Sequence, residues 1–225
     1  MTTNITIADE AVRRLRRLDA CAVSDALDQL GLTGQVTGVP KRSGSAARIA
    51  GRVTTLKVHD GPRPAGAVRH LGTTAVEKSG PDDVIVVEQR TGLDAGCWGG
   101  LLTLGAKLRG VAGVVADGPV RDIDEARDYD FPIFSTALNA LTARSRVVEA
   151  ATDEPIRPWG IDVAPGDYVV ADSSAVVFIA ADRVEAVLEA AERIAAKEAA
   201  MAKALLAGTP IGEVMGANYE HMLGK

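Results

Sequence analysis

The apolar and polar positions of the first thirty residues predict two helices, one over residues 7–17 and one over 22–30. The second, AVSDALDQL, runs into Gly31, a suitable residue just past a helix end. Residues 32–48 are rich in Gly, Thr, Ser and basic side chains and read mostly as loop. IAGRVTTLKV at 49–58 alternates loosely and predicts a strand; residues 67–79 predict a helix. Asp83 to Glu88, carrying VIVV, reads as a buried strand from its β-branched content.

A glycine cluster then opens a helix over 99–109, which halts at Gly110 before an apolar strand at 111–116. The chain turns through Asp117-Gly118-Pro119 and enters a short helix from Asp122 to about Arg127. FPIFS at 131–135 predicts a strand, with Pro132 suited to its first residues. Residues 146–180 hold two or three more strands around the turn Pro165-Gly166-Asp167. A long helix closes the pattern, from Asp182 to about Ala207. Asp182 and Glu185 have capping-box spacing, and Gly208 and Pro210 mark the stop. Strands and helices that alternate over 83–134 imply parallel pairing there, and the strand-dense 146–180 adds antiparallel layers. The expected fold is a mixed α/β sandwich in one domain, residues 1–225.

Composition narrows the function classes. Hydrophobic residues make up 47% of the 225 but aromatics only 4%, so the core is built of small and branched aliphatic groups. The net charge of −5 carries no large block of either sign, which argues against a nucleic-acid partner. The one basic cluster, Arg13, Arg14, Arg16 and Arg17, reads as the solvated face of the first helix. Two cysteines, Cys21 and Cys97, form no disulfide or zinc pattern. The N-terminal MTTNITIADE lacks the regions of a signal peptide, and no apolar run reaches the ~18 residues of a membrane span. The expectation is a soluble cytoplasmic protein.

Chemistry concentrates between Gly96 and Asp122. A helix N-terminus after Gly99 and Gly100 offers bare N–H groups and the positive end of a dipole to an anion. Neither a Walker loop nor a dinucleotide fingerprint is present. Arg121 and Asp122 would ordinarily be a surface charge and a cap. Their place just past the C-terminal end of a parallel strand is where open α/β sheets gather ligands. Arg binds a carboxylate bidentately, and one Asp with waters suffices for Mg²⁺. On the last helix Val184, Leu188, Ala191, Ala195, Ala202 and Leu205 form an apolar stripe that includes Glu198. That acid either sits at the wet edge of the stripe or reaches a neighbouring subunit's pocket. His59, His70 and His221 have no metal-ligand spacing, and Cys97 has no evident base.

The segment AGCWGGLLTLGAKLRGVAGVVADGPVRDIDE resembles the RraA-like family of 4-hydroxy-4-methyl-2-oxoglutarate and 4-carboxy-4-hydroxy-2-oxoadipate aldolases and ribonuclease E activity regulators. SDALDQLG at 24–31, IAGRVTTLKV, RHLGTTAVEKSGPDDVIVVE at 69–88, FPIFS and VAPGDYVVAD at 163–172 extend the likeness over roughly residues 20–208. The resemblance implies a swivelling-domain three-layer ββα sandwich, assembled as a homotrimer or a dimer of trimers with sites between subunits. It further implies a class II lyase acting on a small 2-oxo acid, in which Mg²⁺ or Mn²⁺ stabilises a pyruvate enolate. Carried over, Arg121 binds the pyruvyl oxygens, Asp122 and Glu125 serve the metal, and the N–H groups of Leu101 and Leu102 hold the carboxylate. Glu198 is the candidate acid from across the interface. One departure matters: aldolase members carry Asp or Glu where this chain has Gly100. That departure keeps two other readings open, a non-catalytic regulator of ribonuclease E and a member with different chemistry on a carboxylate substrate. A lesser departure, Ala175 in place of the family's usual Gly, reads as packing.

Overall fold

The computed structural model describes residues 9–61 and 69–216. The predicted helix at 7–17 is α1, Glu10–Leu15, its start capped by Asp9, whose Oδ1 accepts from the Ala11 and Val12 N–H groups. Residues 7 and 8 lie outside the described residues, as do 67 and 68 of the predicted third helix. Helix α2 spans Ala20–Gln29 and ends as expected, with Gly31 at φ 65° and the Leu32 N–H returning to Leu27 O at 2.9 Å.

All nine strands among the described residues belong to one mixed sheet. Its path runs β1 (Gln35–Thr37), β9 (Ala175–Ile179), β8 (Tyr168–Ala171), β3 (Ile49–Asp60), β4 (Asp83–Gln89), β5 (Gly113–Val120), β6 (Ile133–Leu138), β2 (Lys41–Ser43). Strand β7 (Val147–Thr152) pairs separately with the far end of β3. The centre, β3-β4-β5-β6, is parallel, and β7, β8 and β9 add on antiparallel, as the pattern of elements implied. The stretch 32–48 is not simply loop: it contains β1 and β2. Both are three-residue strands at the ends of the sheet, too short to show alternation.

Alternation along the strands sorts the core into layers. On β4, Val84 and Val86 face one cluster while Ile85 and Val87 face another. On β9, Val176 and Phe178 join Val84 and Val86, whereas Val177 and Ile179 turn the other way. The sheet therefore folds over a shared β-on-β core. Helices α3 (Thr73–Lys78), α4 (Gly100–Leu108) and α5 (Ile123–Asp128) cover the outer face of the parallel strands, completing the ββα sandwich. Helices α1, α2 and α6 (Val184–Leu206) add a further layer over β8 and β9, with Arg14 bridging to Glu185 and Glu192 at 2.8 Å each.

Two expectations for the last helix fail. Asp182 lies in a 3-10 turn, Ala181–Arg183, and no side chain caps α6; instead Asp167 Oδ1 accepts from the Ala181 N–H at 2.8 Å. The apolar stripe is buried only as far as Ile194, because the helix then runs past the layer it packs on; Ala202 and Leu205 are exposed. Among the described residues no helix is long and apolar enough to cross a membrane.

Candidate active site

The segment before α4 is fastened to the end of β5. Cys97 N donates to Pro119 O at 2.9 Å, Arg121 N to Trp98 O at 3.0 Å, and Trp98 pairs with Val120 as a parallel bridge. The β5–β6 register shifts between Ala116 and Pro119, where proline offers no N–H to the ladder. These pairings set Gly99, Gly100, Arg121 and Asp122 side by side, although the two pairs are twenty-two residues apart in sequence.

The glycines act by what they leave out. A Cβ on Gly96 would lie 3.1 Å from Arg121 Cγ, and one on Gly99 would lie 2.9 Å from Asp122 Oδ2 and 3.2 Å from Arg121 Cγ. The stem of Arg121 thus lies against bare backbone. Gly96 was not singled out from sequence, since nothing near it marks a cradle for a side chain so far along the chain.

Asp122 does not cap its own helix α5. Its backbone is left-handed, φ 56° and ψ 39°, a conformation Asp tolerates better than most residues. Its Oδ2 accepts instead from the Gly100 N–H, the first of α4, at 3.0 Å, and Arg121 Nε donates to both carboxylate oxygens at 3.1 Å. Helix α4 therefore has one of its opening donors filled by a side chain from another element. Thr103 N returns to Gly99 O at 3.0 Å as the first helical bond, so the N–H groups of Leu101 and Leu102 precede the ladder and stay open to an anion. Among the described residues the terminal Nη groups of Arg121 form no hydrogen bond or ion pair.

These groups line a pocket of about 150 Å³, together with His70, Leu71, Trp98 and the loop residues Thr142 and Ala143. Trp98 forms its floor, fixed by Nε1 donating to Thr103 Oγ1 at 2.9 Å. Cys97 is fully buried, and that burial pushes its thiol up to about 12, which removes it as a nucleophile.

Glu125 sits on α5 one turn beyond Asp122, and its carboxylate occupies the space over Gly100. A Cβ on Gly100 would collide with Glu125 Oε2. The two carboxylates, Asp122 and Glu125, thus flank Gly100. Glu198 is elsewhere: it is exposed on α6, next to Asp19 and Asp25, and is no part of the pocket in this chain. Its carboxyl is raised above the usual range by burial first, then by those two acids. Among the described residues no group of three or more His, Cys, Asp or Glu stands together as a metal site.

Residues 20–178 match the RraA-like family, described as Aldolase/RraA. A 4-hydroxy-4-methyl-2-oxoglutarate aldolase of Thermus thermophilus is 33% identical over 140 residues, 62% of this chain and 80% of that protein. DlpA of Legionella pneumophila is 28% identical over 92% of this chain, which spans only 34% of that longer protein. Among solved structures, RraAS2 of Streptomyces coelicolor, described as an unusual member of the RNase ES inhibitor RraA family, superposes with a TM-score of 0.74. It is 26% identical, over 85% of this chain and 95% of RraAS2.

Proposed function

This chain belongs to the Aldolase/RraA family, and on that premise we propose that it is a metal-dependent lyase cleaving a C–C bond in a small 2-oxo acid. Its substrate class is a 4-hydroxy-2-oxo acid, oxaloacetate, or both, since retro-aldol cleavage and decarboxylation lead to the same pyruvate enolate. One observation carries the reading: Arg121, Asp122 and the open start of α4 converge on one small pocket.

The donors fit a hard cation. Asp122 and Glu125 offer only oxygen, and a cation such as Mg²⁺ or Mn²⁺ accepts one or two carboxylates, with water and substrate completing its shell. When bound, that cation polarises the 2-oxo group and stabilises the negative charge left by the breaking bond. The protein does the rest. The N–H groups of Leu101 and Leu102 hold the substrate carboxylate at the positive end of α4. Arg121 points permanent positive charge at the oxygen where negative charge develops. The Gly100 N–H and Arg121 Nε hold the Asp122 carboxylate in place before any ligand arrives. Glu198 enters this reading as a carboxylate supplied by a neighbouring copy of the chain, in a trimer or a pair of trimers.

Gly100 favours a second reading, a binding protein of the ribonuclease-regulator kind, because aldolase members carry an acid there. The exposed Leu101 and Leu108 on α4, at 87% and 79%, would suit such a contact. Pyruvate release from 4-hydroxy-4-methyl-2-oxoglutarate and from oxaloacetate, with Mg²⁺ or Mn²⁺ and with EDTA, separates the two. Release that EDTA abolishes is expected; no metal-dependent release from either substrate would sink the lyase.

A further inference from the structure

His70 lines the pocket beside Arg121 and Asp122, and the reading above gives it no task. Its backbone is held from two sides. Thr73 N and Oγ1 both donate to His70 O, at 3.1 and 2.8 Å, in the first turn of α3. Gly72 N donates to Glu149 Oε2 on β7 at 2.8 Å, and Glu149 Oε1 accepts from Thr152 Oγ1 at 2.6 Å. Among the described residues the ring makes one bond: Nδ1 lies 2.9 Å from Leu71 O. A carbonyl oxygen only accepts, so in the neutral imidazole Nδ1 carries the proton and the lone pair belongs to Nε2. Among the described residues no group bonds that Nε2. The ring is exposed and lines the cavity, so Nε2 is accessible to a ligand that enters it.

The other ionisable groups that line the pocket are already engaged or buried. Arg121 is permanently charged. The Asp122 oxygens already accept from Gly100 N and Arg121 Nε, and the Cys97 thiol is held protonated by burial. We infer that His70 Nε2 is the proton carrier of this pocket, an assignment that rests on the lyase reading. In retro-aldol cleavage Nε2 accepts the proton of the C4 hydroxyl as the C3–C4 bond breaks. The bonding pair stays with C3 as the enolate, and C4 leaves as a carbonyl. The imidazolium then returns that proton to C3, giving the methyl group of pyruvate, so protons balance with no further reactant. Decarboxylation of oxaloacetate has no hydroxyl proton to remove; only C3 needs one, and water can supply it.

The two substrates therefore give the test. H70A should lower turnover on the 4-hydroxy acid about 100-fold but decarboxylation less than about threefold. Free imidazole, able to reach an exposed position, should restore the cleavage about tenfold, a rescue that a merely structural histidine would not show. Independently of turnover, ¹⁵N spectra of the wild-type ring should show the Nδ1–H tautomer, with the Nε2 signal moving when oxalate is added with Mg²⁺. Equal losses on both substrates, undiminished cleavage or an unmoved Nε2 signal would overturn the role of His70 alone. A wild-type protein that decarboxylates without cleaving would also overturn it and leave the lyase standing. One that releases no pyruvate from either substrate would overturn both.

Discussion

Two places on the molecule gather carboxylates beside a helix. At the start of α4, Asp122 meets an N–H group and a guanidinium, and Glu125 lies over bare glycine backbone. Along α2 and α6, Glu198 faces Asp19 and Asp25, and its carboxyl is raised, by burial first and then by those two acids. Asp25 is raised in the same way, by burial and then by Asp28 and Asp19. In the first place the charges are compensated by donors that also point into a pocket. In the second they repel, and none of them lines the pocket at the start of α4. Acid side chains alone do not distinguish the two; the donors around them do.

The largest effects should come from breaking the first place. Arg121→Ala should cut pyruvate release about 100- to 1,000-fold with little change in folding, as loss of a charge-stabilising donor does. Asp122→Ala should do as much damage and also uncap α4. That second loss is worth about 1 kcal/mol, or some 2–4 °C of Tm in a chain of this size. Steady-state assay and thermal melts together check both; an Asp122→Ala protein with wild-type Tm would mean that the Gly100 bond contributes nothing to stability.

Next comes Glu125. Glu125→Ala should cost about tenfold in activity or Mg²⁺ affinity. Gly100→Asp in the same protein, moving the acid from α5 to α4, should recover most of it. Failure of the pair to recover, measured by metal titration, would show that Glu125 does more than fill the space over Gly100.

Glu198 should give the smallest stability effect, in the opposite direction. A carboxyl raised in the folded state favours folding fully below its ordinary value near 4.5, and that advantage is lost as pH rises through the folded value. Glu198→Gln should therefore raise Tm at pH 7 by no more than about 2 °C, because the site is well exposed, and leave it unchanged at pH 3. If a neighbouring copy uses this acid, as proposed, turnover falls about tenfold while stability rises. Unchanged turnover would confine the site to one chain.

What sequence could reveal follows the same division. The parallel strands were legible because VIVV and the strand before Asp117 are buried on both faces, leaving continuous β-branched runs. Gly31 was legible because a helix end needs its positive φ. Strands β1 and β2 were not, since three-residue edge strands of QVT and KRS carry no pattern. The Asp182 cap failed because Asp167, from another turn, binds the start of that segment. At the pocket, the order Arg-Asp after a strand could be read directly. What Asp122 does could not, because its partner Gly100 is twenty-two residues back and its own backbone turns left-handed. The stripe on α6 gave no sign that burial would stop at Ile194, which depends on where the opposing layer ends.

The shared space between Gly100 and Glu125 also bears on how the pocket can be redesigned. A side chain at position 100 would meet the present Glu125 carboxylate, the far end of an exposed side chain, which has to turn aside to admit it. Enlarging residue 100 therefore works only if residue 125 keeps an open direction to turn into, or is shortened at the same time.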